Sequence, residues 1–328
     1  MPAVFRLTLA ALLLATSLHS HGFDLQAHRG ARGLTPENTL PSFAQALGIG
    51  VTTLELDIAI TKDGVLVITH DRALNPDITR GADGRFIDAP GPLVSSLSFA
   101  ELGAYDVGRI KPGTAYARQF SDQKALDGTR IPRLADLFAL VKKSGNDKVR
   151  FAIETKLSPL APQDTLAPEA FARAVIAAIR EAGMVSRTSV LSFDWRTLQV
   201  IQRDAPEIPT VYLSIQRGAG ENIGADKTEP SPWTAGIRYV DHGSVPRMIK
   251  AAGGHTWSAF HMDLTSEKVK EAKTLGLQVL AWTVNEPARM AAVLDMGVDG
   301  IVTDRPDLLR EEMKRRGMPL PNSTTVSP

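Results

Sequence analysis

Apolar and polar residues along this chain switch repeatedly between two periods. Apolar residues at i, i+3, i+4 and i+7 predict helices, and short runs of alternating or continuous apolar residues predict strands. The first helical stripe is Leu40, Phe43, Ala44 and Leu47, with Thr35 as its cap, Pro36 at its first position and Gly48 and Gly50 ending it. Later helices are expected from Leu134 through Val141, over 168–182 before Gly183, from the cap Asp194 to Arg203, over 245–252 and over 266–275. Two more run from the cap Asn285 to Met296 and onward from Pro306. Between them, strands are expected at 24–27, 54–58, 148–156, 189–193, 210–213, 257–262, 277–284 and 300–303. Eight strand–helix units with right-handed crossovers close into a parallel (β/α)8 TIM barrel rather than an open sheet.

Two stretches break the rhythm. Residues 72–130 are rich in Gly, Pro, Ser and charge without a period, and are read as a small insertion after the second strand, over the barrel mouth. Residues 318–328 are polar and Pro-containing and are read as a flexible tail, leaving 23–317 as the barrel domain.

The stretch from Leu54 to Asp71 carries the most chemistry. In an extended strand Glu55 and Asp57 point to one side and Leu54, Leu56 and Ile58 to the other, so two carboxylates share a small space. Lys62-Asp63-Gly64 is a hairpin turn signal, and the returning strand 65–69 delivers His70 and Asp71. The device recurs in the next strand, where Glu154 and Lys156 are two apart.

Length and composition narrow the class. A chain of 328 residues with 43% hydrophobic content can fill one large barrel core. Its first 22 residues hold one charged side chain, Arg6, then an apolar run from Leu7 to Leu18, then small and polar residues. That is the pattern of a secretory signal peptide (1–22), too short for a good membrane span, so an exported, periplasmic or secreted protein without a stable membrane anchor is expected. Without Arg6 the 37 basic residues become 36, matching 36 acidic ones, and no basic patch recommends a nucleic-acid partner. There is no Cys, hence neither a disulfide framework nor a lipid-modified N-terminal Cys.

In a TIM barrel, chemistry sits where strands end. His28 ends the first strand, Glu55 and Asp57 the second, Glu154 and Lys156 the third, and His70 stands on the attached hairpin. Three carboxylates are hard oxygen ligands suited to Ca²⁺ or Mg²⁺, and two imidazoles supply a proton acceptor and a donor. Trp282 and Phe193 are placed as substrate-binding aromatics of the pocket, with a buried structural role as the alternative for each. Thr303-Asp304-Arg305 is read as a cap of the last helix, and Glu37 as an acid complementing the start of its own. His242, His255 and His261 carry no motif.

These residues resemble the glycerophosphodiester phosphodiesterase family, periplasmic type: A-H-R-G with P-E-N-T, L-E-L-D-I with D-G and T-H-D, then I-E-T-K, S-F, W-T-V-N and G-I-V-T-D-R-P, in order over nearly the whole mature chain. The resemblance implies metal-dependent hydrolysis of glycerophosphodiesters to sn-glycerol 3-phosphate and an alcohol. It implies a divalent cation on Glu55, Asp57 and Glu154, with Ca²⁺ favoured over Mg²⁺, an acid/base pair in His28 and His70 in either order, and Arg29 and Lys156 on the phosphate. It also implies that 72–130, with Asp106-Val107-Gly108, is the family's insertion. The rival readings are a phospholipase D-like phosphodiesterase acting on a lysophospholipid, whose toxin relatives usually carry disulfides, and an inactive binding protein on the same barrel. A glycoside hydrolase would need two carboxylates but neither the third acid nor the histidines and lysine.

Overall fold

The computed structural model describes residues 22–218 and 220–328, so the expected signal peptide, apart from Gly22, lies outside the described residues. Nine strands form one sheet: β1 (Asp24–Ala27), β2 (Thr53–Ile60), β3 (Leu66–Ile68), β4 (Arg150–Thr155), β5 (Thr188–Ser192), β6 (Thr210–Ser214), β7 (Thr256–Phe260), β8 (Gln278–Trp282) and β9 (Gly300–Thr303). All but β3 run parallel, in the order β1-β9-β8-β7-β6-β5-β4-β2, and β1 pairs back onto β2, which closes the barrel. The expected TIM barrel is therefore the observed fold.

Helices α1 (Leu40–Ile49), α2 (Phe99–Leu102), α3 (Ala115–Gln119), α4 (Leu134–Ser144), α5 (Pro168–Glu181) and α6 (Trp195–Asp204) follow the first strands. The second half carries α7 (Tyr239–His242), α8 (Val245–Ala251), α9 (Ser266–Thr274), α10 (Pro287–Asp295) and α11 (Pro306–Arg315). The larger core lies between strands and outer helices, joining residues such as Leu25, Phe43, Leu54, Phe151 and Trp257. A second, inner core of Ala152, Leu191, Val211, Leu213 and Leu280 fills the barrel, with Phe193 and Trp282 resting on top of it. Filling the interior leaves chemistry to the ends of the barrel, and in this fold to the mouth where the strands end.

β2 outruns the barrel. Its last residues, Ile58 to Ile60, pair antiparallel with β3 through a turn at Gly64, which adopts φ 80°, and beyond Ile58, still paired with Thr155, the strand leaves the parallel ring. The insertion packs on this extension through its own apolar cluster, including Leu74, Val94, Leu102 and Val107. Asp106 latches it internally: its carboxylate accepts from the backbone N–H of Gly108 at 2.8 Å and of Gly128 at 2.9 Å, and pairs with Arg80 at 2.5 Å.

Three helix starts differ from expectation. α1 is capped by Thr39, not Thr35, because Asn38 is held in a left-handed conformation (φ 56°) by bonds to Asp57 and cannot join a helix. Asn285 does not cap α10, and Asp304 does not cap α11, whose flanking Arg305 makes no capping bond. Both side chains face the barrel mouth instead. Residues 318–328 carry no regular element, yet Thr324 N–H donates to Leu47 at 2.8 Å and Arg310 donates to Pro321 at 2.7 Å.

Candidate active site

The register of the sheet assembles the acids. Glu55 and Asp57 share the inward face of β2, and Glu154 on β4 stands directly opposite Asp57 in the parallel ladder. One carboxylate oxygen from each of the three lies within 4.8 Å of the others, and all three residues are buried. Arg29, following β1 with φ 52°, donates its backbone N–H to Glu55 at 2.9 Å and places its guanidinium 3.3 Å from Asp57. The neighbouring Gly30 is required, since a Cβ there would run into the Ser42 side chain of α1. Lys156 donates to Glu154 at 2.6 Å and lies 3.4 Å from Asp57. Asn38 donates to the second Asp57 oxygen at 2.9 Å.

The charges do not balance evenly over the triad. Burial would raise the Asp57 carboxyl, but Lys156, His70 and Arg29 together hold it well below the usual carboxylate range. Glu55 is pushed well above its ordinary value, first by burial and then by the charges of Asp57 and Glu154. In addition, Asp57 Oδ1 is buried without a hydrogen bond. A hard divalent cation fits this set: it would bond Oδ1, which has only the Lys156 ammonium at 3.4 Å and no hydrogen bond, and would relieve the like-charge crowding on Glu55.

Each candidate histidine is oriented by a carboxylate through Nδ1. His28 Nδ1 is 2.6 Å from Asp304, and His70 Nδ1 is 2.7 Å from Asp71, whose other oxygen accepts from Asn75 at 2.9 Å. A lone pair facing a carboxylate at such distances would be repelled, so both rings carry their proton on Nδ1 and leave Nε2 available. His28 is lowered to about 4, by burial first, against the opposing pull of Asp304. Burial would raise Asp304, but His28 and Arg32 hold it well below the usual range.

Around Asp304 lies a network that sequence reasoning missed. Arg32 clasps both its oxygens at 2.7 and 2.9 Å, and Asn285 donates to it at 2.7 Å while accepting its backbone N–H at 2.9 Å. The cap reading of residues 303–305 and of Asn285 is thereby replaced: these groups fix the ring of His28. Arg32 in turn stacks 4.5 Å over the ring of Phe120 in the insertion. Tyr116, on α3, hydrogen-bonds to Glu37, whose other oxygen accepts from Arg29 at 2.8 Å. The insertion thus braces the first loop of the barrel through Glu37, whose role is this contact rather than a helix charge. Tyr116→Phe is expected to lower the melting temperature by roughly 2 °C, the worth of about 1 kcal/mol for one hydrogen bond, and to lower kcat/KM as Glu37 and Arg29 loosen; a thermal melt and steady-state kinetics check both.

His28, Arg29, Glu55, His70, Glu154 and Lys156 line one chamber of about 230 Å³, floored by Phe193 and Trp282. The two aromatic rings meet edge-to-face at 5.4 Å, and the Trp282 indole donates to Ser258 at 3.1 Å. Both rings thus pack against one another and line the chamber. His261 instead pairs with Arg289 and does not line the chamber.

The model of the glycerophosphoryl diester phosphodiesterase family matches residues 28–308. The chain belongs to that family. A Silicibacter pomeroyi protein assigned as a glycerophosphoryl diester phosphodiesterase has a crystal structure similar at a TM-score of 0.80, with 37% identity, covering 92% of this chain and 96% of that one. Glycerophosphodiester phosphodiesterase of Caldanaerobacter subterraneus is 28% identical over 291 residues, covering 89% of this chain and 98% of its own. An Oleispira antarctica phosphodiesterase, solved with the product sn-glycerol-3-phosphate, shares the fold at a TM-score of 0.64 and 21% identity, covering 89% and 97% of the two chains. Family membership makes the protein a phosphoric diester hydrolase, and the residues that end β1, β2 and β4 are those in its barrel mouth.

Proposed function

We propose that the protein hydrolyses glycerophosphodiesters to sn-glycerol 3-phosphate and an alcohol, with a divalent cation on Glu55, Asp57 and Glu154 and acid/base catalysis by His28 and His70. The observation that carries this reading is a cluster of three crowded carboxylates, two of which line one small chamber, beside two imidazoles whose Nδ1 atoms are anchored. A bound cation neutralises charge on the non-bridging phosphate oxygens; Ca²⁺ is favoured because every ligand is oxygen and the chain begins like an exported one. Arg29, buried, and Lys156, partly buried, stand beside the same acids and orient the phosphate. The signal-like composition of residues 1–22 supports a place of work outside the cytoplasm, in the periplasm or beyond.

The glycerol 2-hydroxyl attacks phosphorus as one imidazole takes its proton, the bond from phosphorus to the alcohol breaks, and the other imidazole protonates the departing oxygen. Water then opens the cyclic phosphate with the histidine roles exchanged, giving glycerol 3-phosphate. A chamber of about 230 Å³ suits the small glycerol end, whose hydroxyls meet polar strand ends.

Incubation of purified protein with glycerophosphocholine, glycerophosphoethanolamine and bis(p-nitrophenyl) phosphate, with and without EDTA, tests the reading. Glycerol 3-phosphate release from the two glycerol esters, stopped by EDTA and restored by Ca²⁺ or Mg²⁺, is expected; full activity in excess EDTA would remove the cation. A 2-deoxyglycerol ester is expected to react at least about 10³-fold more slowly, since it lacks both the nucleophile and a buried hydrogen-bonding group. Equal rates would replace internal attack by direct attack of water.

A further inference from the structure

The barrel mouth opens into a second cavity of about 490 Å³, within the size range that holds drug-sized ligands. It is continuous with the inner chamber through His70, Glu154, Lys156, Phe193 and Trp282, which line both. Its additional walls include Ala73, Leu157, Ile215 and Trp233.

The polar groups in that wall are already engaged. Arg72 pairs with Asp164 at 3.1 Å, His70 with Asp71 at 2.7 Å, and Lys156 with Glu154 at 2.6 Å. The Asn222 amide accepts from Ile215 N–H at 2.9 Å and donates to the Leu213 carbonyl at 3.2 Å. Among the described residues, Asp71, Arg72, Glu154, Lys156 and Asp164 of that wall each face an oppositely charged or imidazole partner. What remains for a ligand is the aromatic and aliphatic surface.

The rim continues the same chemistry. The loop after β4 sends Leu157 and Asp164 into the wall, and between them Leu160 is 72% exposed, with Leu166 just beyond. Among the described residues five large apolar side chains are exposed, and two of them sit on this one loop. Leu160 and Leu166 thus put apolar surface on the same loop that supplies two of the cavity's lining residues.

We propose that this outer cavity is the leaving-group site and that it takes an alcohol carrying a hydrocarbon chain. The assignment rests on the phosphodiesterase reading above, with glycerol held in the inner chamber. The phosphate sits at the shared wall of His70, Glu154 and Lys156, so the esterified alcohol on its far side extends over Phe193, Trp282 and Trp233 toward Leu157 and Leu160. Each methylene moved from water onto that surface favours the bound transition state by about two- to fourfold.

The test is a series of sn-glycerol 3-phosphate esters of ethanol, butanol, hexanol and octanol, beside glycerophosphocholine, read as kcat/KM for glycerol 3-phosphate release. The departing alkoxides have similar basicity, so the series reports binding rather than leaving-group quality. kcat/KM is expected to climb roughly two- to fourfold per methylene until the chain outgrows the cavity, and Trp233→Ala and Ile215→Ser are expected to flatten the climb. Turnover with a flat or falling series overturns the cavity assignment alone. A choline ester faster than the hexyl ester also overturns it, giving the aromatic wall to a quaternary ammonium. No turnover of any ester overturns the phosphodiesterase reading and the assignment with it.

Discussion

Alanine at His28 or at His70 is expected to lower turnover of glycerophosphocholine by about 10² to 10⁴, the usual worth of general acid/base catalysis. Each ring already spends Nδ1 on a carboxylate, at 2.6 Å to Asp304 and 2.7 Å to Asp71, so its catalytic atom is Nε2 and no second group stands behind it. The cycle proposed above needs one ring to gain a proton while the other loses one, so removing either halts both. The double variant is therefore expected to lose little more than the worse single variant. Stability should separate the two: His70 is half-buried on the hairpin, whereas His28 is packed against Asp304 and Glu55 and leaves a void when truncated. Steady-state kinetics on the three variants, with thermal melts as the control for folding, check this. A His70→Ala protein with near-normal turnover would take that residue out of the mechanism.

The part of the site that was legible in sequence is the part built by local geometry. Alternation along β2 puts Glu55 and Asp57 on one face, and the Asp-Gly turn returns the chain through β3 to His70. Strand periodicity and Gly punctuation likewise carry the barrel, because they are properties of a few neighbouring residues. The register that sets Asp57 opposite Glu154 is not local, but the repetition of two polar residues two apart at a strand end makes it guessable.

What was illegible depends on chain closure. Asp304 meets His28 across 276 positions because β9 pairs with β1, and the same closure brings Asn285 and Arg32 to one carboxylate. In sequence, an Asp or Asn just before a helix reads as a cap, since that is the commonest use of such a residue there. Here the helix N-termini go without those side chains, which hold His28 instead. Thr35-Pro36 misleads in the same way: it looks like a helix start, but Asn38 must turn left-handed to reach Asp57, which delays α1 to Leu40. The insertion contacts Arg32 and Glu37 through two aromatic residues whose reach no local pattern reveals.

Saturating Ca²⁺ is expected to raise the melting temperature of the wild-type protein, and Asp57→Ala is expected to abolish both that rise and at least about 10³ of the turnover. The metal-free triad is under electrostatic stress: Glu55 is disfavoured as an anion by burial, Asp57 and Glu154, and Asp57 Oδ1 has no hydrogen bond. A ligand that binds only the folded protein adds about 2.7 kcal/mol at a hundred times its dissociation constant. For a chain of this size that is a rise of roughly 5 °C. Alanine at 57 removes the ligand that faces Glu154 and, with it, the anchor shared by Arg29, Lys156 and Asn38. Arg29 keeps Glu37 and Lys156 keeps Glu154, so both cations stay paired and the variant should still fold. Replacement of Asp164, an acid of the outer cavity that takes no part in the triad, is the control and should leave the Ca²⁺-dependent rise intact. Melting curves at graded Ca²⁺ on the three proteins decide it. An equal rise in Asp57→Ala would place the cation elsewhere and leave the three acids as partners of Arg29 and Lys156 alone.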